Sequence, residues 1–397
     1  VSSALSQQVK EWGSSGLAYL TGLPDGPADF SRANVLARAQ QVGAAVAGRL
    51  GIDVDAVSLL AGRAALLGLT RQGRVSPGGG THLLAAADGF CALTLSRADD
   101  LDAIPALLHV DAVAADPWPV LHRWAATRQV SEIIERAGLL DIPVAGMGEA
   151  TAEPPRTRHL GSPAAPRSPR GLLVADLSSM WAGPLCGQLL ARAGATVVKV
   201  ESPRRPDGTR AGNPSFFDWI NSEKLCHTLD FDSQADELRE LLAVSDIVIE
   251  GSRPAALARR GLGPEDIPPR AGRIWLQITG SDGRRPGFGD DTAVAGSLVG
   301  SSVDGPVFCG DAIADPLTGL EATLAVAESL SRGGGELIRI SMAAVAATYA
   351  ALPVETSESP APVSAPQPPP ASPPASALGA DNDAVRHLVD QRRCPAC

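Results

Sequence analysis

The rhythm of hydrophobic and polar positions changes along the chain, and each change marks a different kind of structure. Between residues 171 and 350, short apolar runs alternate with helical periods. Gly171–Leu177 is an apolar run that ends in polar residues, the pattern of a buried strand. Pro184 to Gly194 reads as a helix with proline in its first turn and glycine at its stop. Thr196–Glu201, Cys226–Phe231, Asp246–Glu250 and Arg273–Thr279 read as further strands, with a helical Glu237–Val244 among them. Strands alternating with helices predict an α/β domain around a mainly parallel sheet. Ligands of such sheets sit beyond the carboxyl ends of the strands, so the residues just after each strand are the candidates for chemistry.

The first 150 residues follow another pattern. Val35–Leu50 and Asp55–Leu67 are Ala/Leu-rich helices. Leu83–Ala86 and Phe90–Leu95, joined at Asp88-Gly89, read as a hairpin, and helices are expected near Leu101–Leu108 and Val130–Gly138. This region, 1–150, reads as a smaller α+β unit. Proline marks the boundaries: residues 151–170 read as an interdomain linker, and 351–380 as a Pro/Ala/Ser tract too poor in core-forming side chains to fold. A short helix is expected in the terminal segment 381–397.

Composition narrows the class. The chain has 397 residues, room for two or three domains, and is 44% hydrophobic and 20% charged. Its net charge of −10 argues against a nucleic-acid backbone as partner. No run of some eighteen apolar residues suggests a membrane span, and no basic-then-apolar start suggests a secretory signal. A cytoplasmic protein is the expectation. Cys91, Cys186, Cys226 and Cys309 stand singly in apolar surroundings, as buried thiols do. Cys394 and Cys397 form one Cys-x-x-Cys without a second pair, so no metal site is expected.

Five segments after the expected strands stand out. They are Trp181-Ala182-Gly183-Pro184-Leu185-Cys186, the run from Gly194 to Pro203, and Asn221-Ser222-Glu223-Lys224 with Leu229-Asp230. Ile249-Glu250-Gly251-Ser252-Arg253-Pro254, leading to Arg259-Arg260-Gly261-Leu262-Gly263, and the run from Gly310 to Gly319 complete the set. In this order and spacing the series resembles the family III CoA-transferases, which include formyl-CoA transferase, carnitine CoA-transferase and α-methylacyl-CoA racemase.

The resemblance covers about residues 171–348 and implies a Rossmann-like fold. It also implies acyl-CoA and carboxylate substrates, no permanently bound cofactor, and a homodimer. In an Asp-x-x-x-Gly pattern it puts the nucleophile on Asp315, with Gly319. Asp-Pro alone would read as a helix cap, and Asp311 is the alternative carboxylate. A carboxylate attacking a thioester gives a mixed anhydride and then an enzyme-bound CoA thioester. The resemblance further suggests Lys224, Arg259 and Arg204 (or Arg205) as contacts to the CoA nucleotide, each of which also reads as an ordinary surface charge. Trp181 would stand beside the acyl group.

The loop Gly287–Asp291 lacks the histidine of the racemase branch, which favours transfer over racemisation; Asp290 is the candidate second base if racemisation holds. Racemisation with Asp315 as base, and a non-catalytic CoA-binding subunit, are the alternatives. The order of the chain is unusual for the family. Small-domain-like sequence (Ser14–Gly22) comes first, followed by Arg74–Gly80, which resembles a glycine-rich loop over the acyl site. Gly79 and Gly80 would there offer close backbone approach and N–H donors.

Overall fold

The computed structural model describes residues 6–251, 255–281, 285–356 and 361–393. Three helices come first: α1 (Gln7–Ser14), α2 (Ala33–Leu50) and α3 (Ala56–Leu67). Asp55 starts α3 by accepting the Val57 N–H at 3.0 Å, and Gly68 stops it in the left-handed conformation at φ 65°. Strands β1 (Thr81–Ala85), β2 (Phe90–Thr94) and β3 (Val144–Gly146) form an antiparallel three-stranded sheet. After α4 (Ala98–Asp102), helices α5 (Ile104–Leu108), α6 (Trp118–Ala125) and α7 (Val130–Leu139) pack against it.

The remaining strands are β4 (Arg156–His159), β5 (Leu173–Asp176), β6 (Thr196–Glu201), β7 (Leu225–Thr228), β8 (Ile247–Glu250), β9 (Ile274–Thr279), β10 (Val299–Ser302), β11 (Gly305–Phe308) and β12 (Glu336–Ser341). Among them run α8 (Ala182–Arg192), α9 (Pro214–Asn221), α10 (Ala235–Val244), α11 (Ala255–Ala258), α12 (Gly289–Ala295), α13 (Ala314–Ser331), α14 (Met342–Ala350) and α15 (Asn382–Arg393). Seven strands make one sheet in the order β4-β12-β9-β8-β5-β6-β7, parallel throughout except for β4. The α/β class and the parallel sheet expected from the sequence are what the chain adopts.

Alternation along the strands divides the core. Val174, Ile247, Ile249 and Leu276 face α8, α13 and α2, whereas Leu173, Val248 and Trp275 face α10 and α15. From β5 the chain winds out through β6 and β7, then returns to β8 on the other side of β5. The crevice beyond the ends of β5 and β8 is thus the topological switch point.

Three expectations about layout change. Residues 1–150 do not pack as one unit: α1–α3 share the main core with α8 and α13, while residues from about 84 to 144 build a separate small core. Within 151–170, Arg156–His159 is an edge strand paired with β12; its four side chains are all exposed, so no hydrophobic alternation announces it. The Pro/Ala/Ser tract, where described, has no regular structure yet lies on the protein instead of standing free. Ser364 N–H bonds Gly13 O at 2.9 Å, and Ala375 N–H bonds Asp218 at 2.9 Å. A Cβ at Gly16 would come within 2.5 Å of Pro366. Rigid proline loses little entropy on docking, so backbone contacts suffice where core side chains are lacking. Ser252, Arg253, Pro254 and the Cys394/Cys397 pair lie outside the described residues.

Candidate active site

Asp315 lies in the first turn of α13, buried at 8% exposure. Its carboxylate accepts the backbone N–H groups of Ala182, the first residue of α8, and of Gly289, the first of α12. Gly319 is four residues on and therefore on the same face of α13. A Cβ there would come within 2.7 Å of Leu185 and 2.9 Å of Ala182 O, so glycine lets α8 lie close enough for its first amide to reach Asp315. The Asp-x-x-x-Gly spacing thus has a packing cause. Gly289 is constrained in the same way, since a Cβ would collide with Asp315 Oδ2 and the Ala312 carbonyl.

Three more aspartates surround Asp315. Asp290, half-buried in the first turn of α12, accepts the Ala312 N–H at 2.9 Å and bonds the Ser76 side chain. Thr81 Oγ1 lies 3.5 Å from its other oxygen. Ala312 holds a left-handed φ of 43°, a costly conformation that aims its amide at Asp290. Asp291 accepts Thr94 Oγ1 at 3.0 Å and the Phe288 N–H at 2.9 Å. Asp311 takes Nη1 of Arg63 at 2.6 and 2.7 Å. The Arg63 guanidinium also lies 5.6 Å from the Trp181 ring centroid and 5.4 Å from that of Phe216.

These environments shift Asp315, Asp290 and Asp291 upward. Burial pushes Asp315 up to about 7, with Arg63 pulling against it and Asp290 adding to it. Burial and then Asp311 push Asp290 up to about 6. Burial pushes Asp291 up to about 7. Arg63 is held above its ordinary value: burial works against its charge, and Asp311, with Asp290 and Asp315 behind it, outweighs burial.

The residues expected from the sequence fare unevenly. Asp315 and Trp181 come together; Trp181, 2% exposed, packs edge-on to Phe216 at 5.4 Å, and its indole N–H is buried without a hydrogen-bond partner. Gly79 and Gly80 belong to the neighbouring turn, but Gly79, at φ 77°, gives its N–H to Ser76 O at 2.8 Å. Gly78 is the member of the loop nearest the site, with its Cβ position 3.8 Å from Arg63 and 3.9 Å from Asp311.

Lys224 is not available to a phosphate. It is 3% exposed, pairs with Asp176 at 2.9 Å and donates to Pro184 O at 2.8 Å. Arg204 is exposed and pairs with Asp230 at 2.9 Å. Arg259 is exposed after α11. His82 adjoins Thr81 but points to the other face of β1, stacked on Trp118 at 3.6 Å and hydrogen-bonded to His122 at 3.1 Å.

Arg63 is the residue that motif reading missed. Its signal was a lone arginine on the apolar stripe of α3, in line with Ala56, Leu59 and Leu60.

The sequence matches CoA-transferase family III over residues 170–385, more than half of the chain. It is 32% identical over 186 residues to a succinate–glutarate CoA-transferase of Agrobacterium fabrum, covering 40% of this chain and 46% of that protein. It is 29% identical over 195 residues to a formyl-CoA:oxalate CoA-transferase of Rhodopseudomonas palustris, covering 43% and 45%. A CAIB/BAIF family protein structure from Brucella suis is 30% identical, covers 47% of this chain and 56% of that one, and superposes with a TM-score of 0.42. The chain thus spans about half the length of the relatives it matches. The matching residues run from just before β5 into α15 and include the aspartate cluster and the glycines that assemble it: the chain belongs to CoA-transferase family III.

Proposed function

We propose that the protein transfers CoA from an acyl thioester to a carboxylic acid, and that Asp290 carries the covalent step. One observation supports Asp290 over Asp315. Asp291, Asp311 and Asp315 are 1%, 1% and 8% exposed, whereas Asp290 keeps solvent access beside the Ser76–Thr81 loop. A nucleophile must meet its substrate, and Asp315 instead faces the backbone of α8 and α12. Burial raises both carboxyls, to about 6 for Asp290 and about 7 for Asp315. Asp315, which holds the Gly289 amide next to Asp290, is in this reading a positioning residue.

In the proposed reaction, a carboxylate oxygen of Asp290 attacks the thioester carbonyl. The carbon–sulfur bond breaks, leaving an acyl–aspartyl anhydride and CoA thiolate. The thiolate attacks the aspartyl carbonyl, releasing the donor acid and leaving an aspartyl–CoA thioester. The acceptor carboxylate repeats the two steps in reverse order and restores Asp290. Arg204, exposed after β6, and Arg259, exposed after α11, remain the proposed nucleotide contacts.

Mass spectrometry of the full chain incubated with a panel of acyl-CoAs, trapped with borohydride, tests the assignment. The expected result is an adduct on Asp290, absent from Asp290→Asn and still formed, more slowly, by Asp315→Asn. An adduct mapped to Asp315 would return the nucleophile to that residue. Rapid deuterium uptake at C2 of a 2-methylacyl-CoA, with no dependence on added carboxylate, would replace transfer by racemisation.

A further inference from the structure

We propose that Arg63 determines specificity by binding a second carboxylate, on the acyl group or the acceptor, so that dicarboxylic substrates are preferred to their monocarboxylic analogues. The inference rests on the CoA-transfer reading. It starts from an imbalance: Asp290, Asp291, Asp311 and Asp315 cluster together, and among the described residues Arg63 is the cation whose charge bears on both Asp290 and Asp315. An anionic substrate entering this cluster meets net negative charge unless it reaches Arg63.

The guanidinium is arranged to receive such a group. Both of its contacts to Asp311 use the same nitrogen, Nη1. A guanidinium binds a carboxylate best through two nitrogens in parallel, and here no described hydrogen bond uses Nη2 or Nε. Nη2 is turned toward Gly78, where the absence of a side chain leaves space. Trp181 and Phe216 at 5.6 and 5.4 Å hold the group from the apolar side, and Arg63 is 24% exposed. Unused guanidinium nitrogens on a partly exposed side chain fit an oxygen-rich anion better than an alkyl chain. Arg63 comes from α3, outside the residues 170–385 matched to the family.

The test is a double cycle between protein and substrate on the full chain. CoA transfer to succinate, monomethyl succinate and butyrate is measured for the native protein, Arg63→Gln, Arg63→Lys and Asp311→Asn. The native protein is expected to show a KM for succinate lower by about 10–100-fold than for monomethyl succinate, the range of a charge-assisted bidentate pair. In Arg63→Gln all acceptors slow, but the ratio between succinate and its monoester collapses to near one. Arg63→Lys keeps part of the ratio, and Asp311→Asn keeps it whole. Equal loss for all three acceptors in Arg63→Gln, with the ratio intact, would reduce Arg63 to a partner of Asp311 and overturn the proposal. Were the arginine variants not to fold, the native ratio decides alone: no preference for succinate sinks the inference while transfer itself stands. No transfer to any acceptor would remove the CoA-transfer reading.

Discussion

Two clusters of opposite charges flank α8, and they behave in opposite ways. On one side, Lys199 and Lys224 face Asp176 and Asp207; Lys199 pairs with Asp207 at 2.7 Å and Lys224 with Asp176 at 2.9 Å, all fully buried. Burial alone would raise both aspartates, but the lysines outweigh it and hold them below the usual carboxylate range. Remaining bonds are filled too: Lys199 donates to Ser178 O, and Asp207 accepts the Met180 and Thr209 N–H groups. On the other side, Asp290, Asp311 and Asp315 share Arg63 with Asp291 next to them, and Asp290, Asp291 and Asp315 rise to about 6 or 7. Balanced, saturated charge makes a structural node. Carboxylates in excess over cations, next to solvent, are what the proposed reaction draws on.

Substitutions that remove one charge from each cluster should separate these roles most sharply. Asp290→Asn is expected to fold and to lose CoA transfer by on the order of a thousandfold or more, as removal of a nucleophile does. Lys224→Met should instead leave Asp176 buried without its partner and cost ~3–5 kcal/mol of stability. Thermal and urea unfolding check this, and any Lys224→Met protein that stays folded should keep its KM for CoA substrates. A selective rise in that KM with unchanged stability would restore Lys224 as a phosphate contact.

A smaller effect tests the geometry that joins α8 to the reactive cluster. Gly319→Ala puts a methyl group against Leu185 and Ala182 O, an overpacking that costs ~1–3 kcal/mol and draws the Ala182 amide from Asp315. Transfer activity should fall with it. Unchanged stability would show that α8 and α13 separate without cost.

The mildest effect is a slope. Asp291 is held at about 7 by burial, above its ordinary value of 3.8, so the folded state binds its proton more tightly than the unfolded chain does. Stability from this group is therefore present below about pH 4 and lost as pH rises toward 7, by about 1.4 kcal/mol per pH unit at most. Asp291→Asn, which keeps an oxygen for the Phe288 N–H, should flatten that slope in unfolding experiments across pH 4–7. An unchanged slope would assign the proton to another member of the cluster.

The sequence by itself determined the architecture around the parallel sheet. Local information suffices for it: the apolar runs of β5, β6, β8 and β9 are buried on both faces, and Pro184 and Gly194 punctuate the helix between β5 and β6. The post-strand motifs were enough to name the family and to draw attention to Asp315 and Trp181. Tertiary structure alone decided which charges are structural. Lys224 and Arg204 are alike as letters, but Lys224 is sealed against Asp176 while Arg204 remains at the surface. It decided the placement of Arg63, some 250 residues from Asp311 along the chain (248 in separation) and invisible to any local spacing. It also ranked the four aspartates, because solvent access and the number of amides facing each carboxylate depend on how α8, α12 and α13 converge. A pattern of residue types records what each segment prefers to be. Which side chains share one low-dielectric space, and so which protons they hold, is a property of the packed molecule.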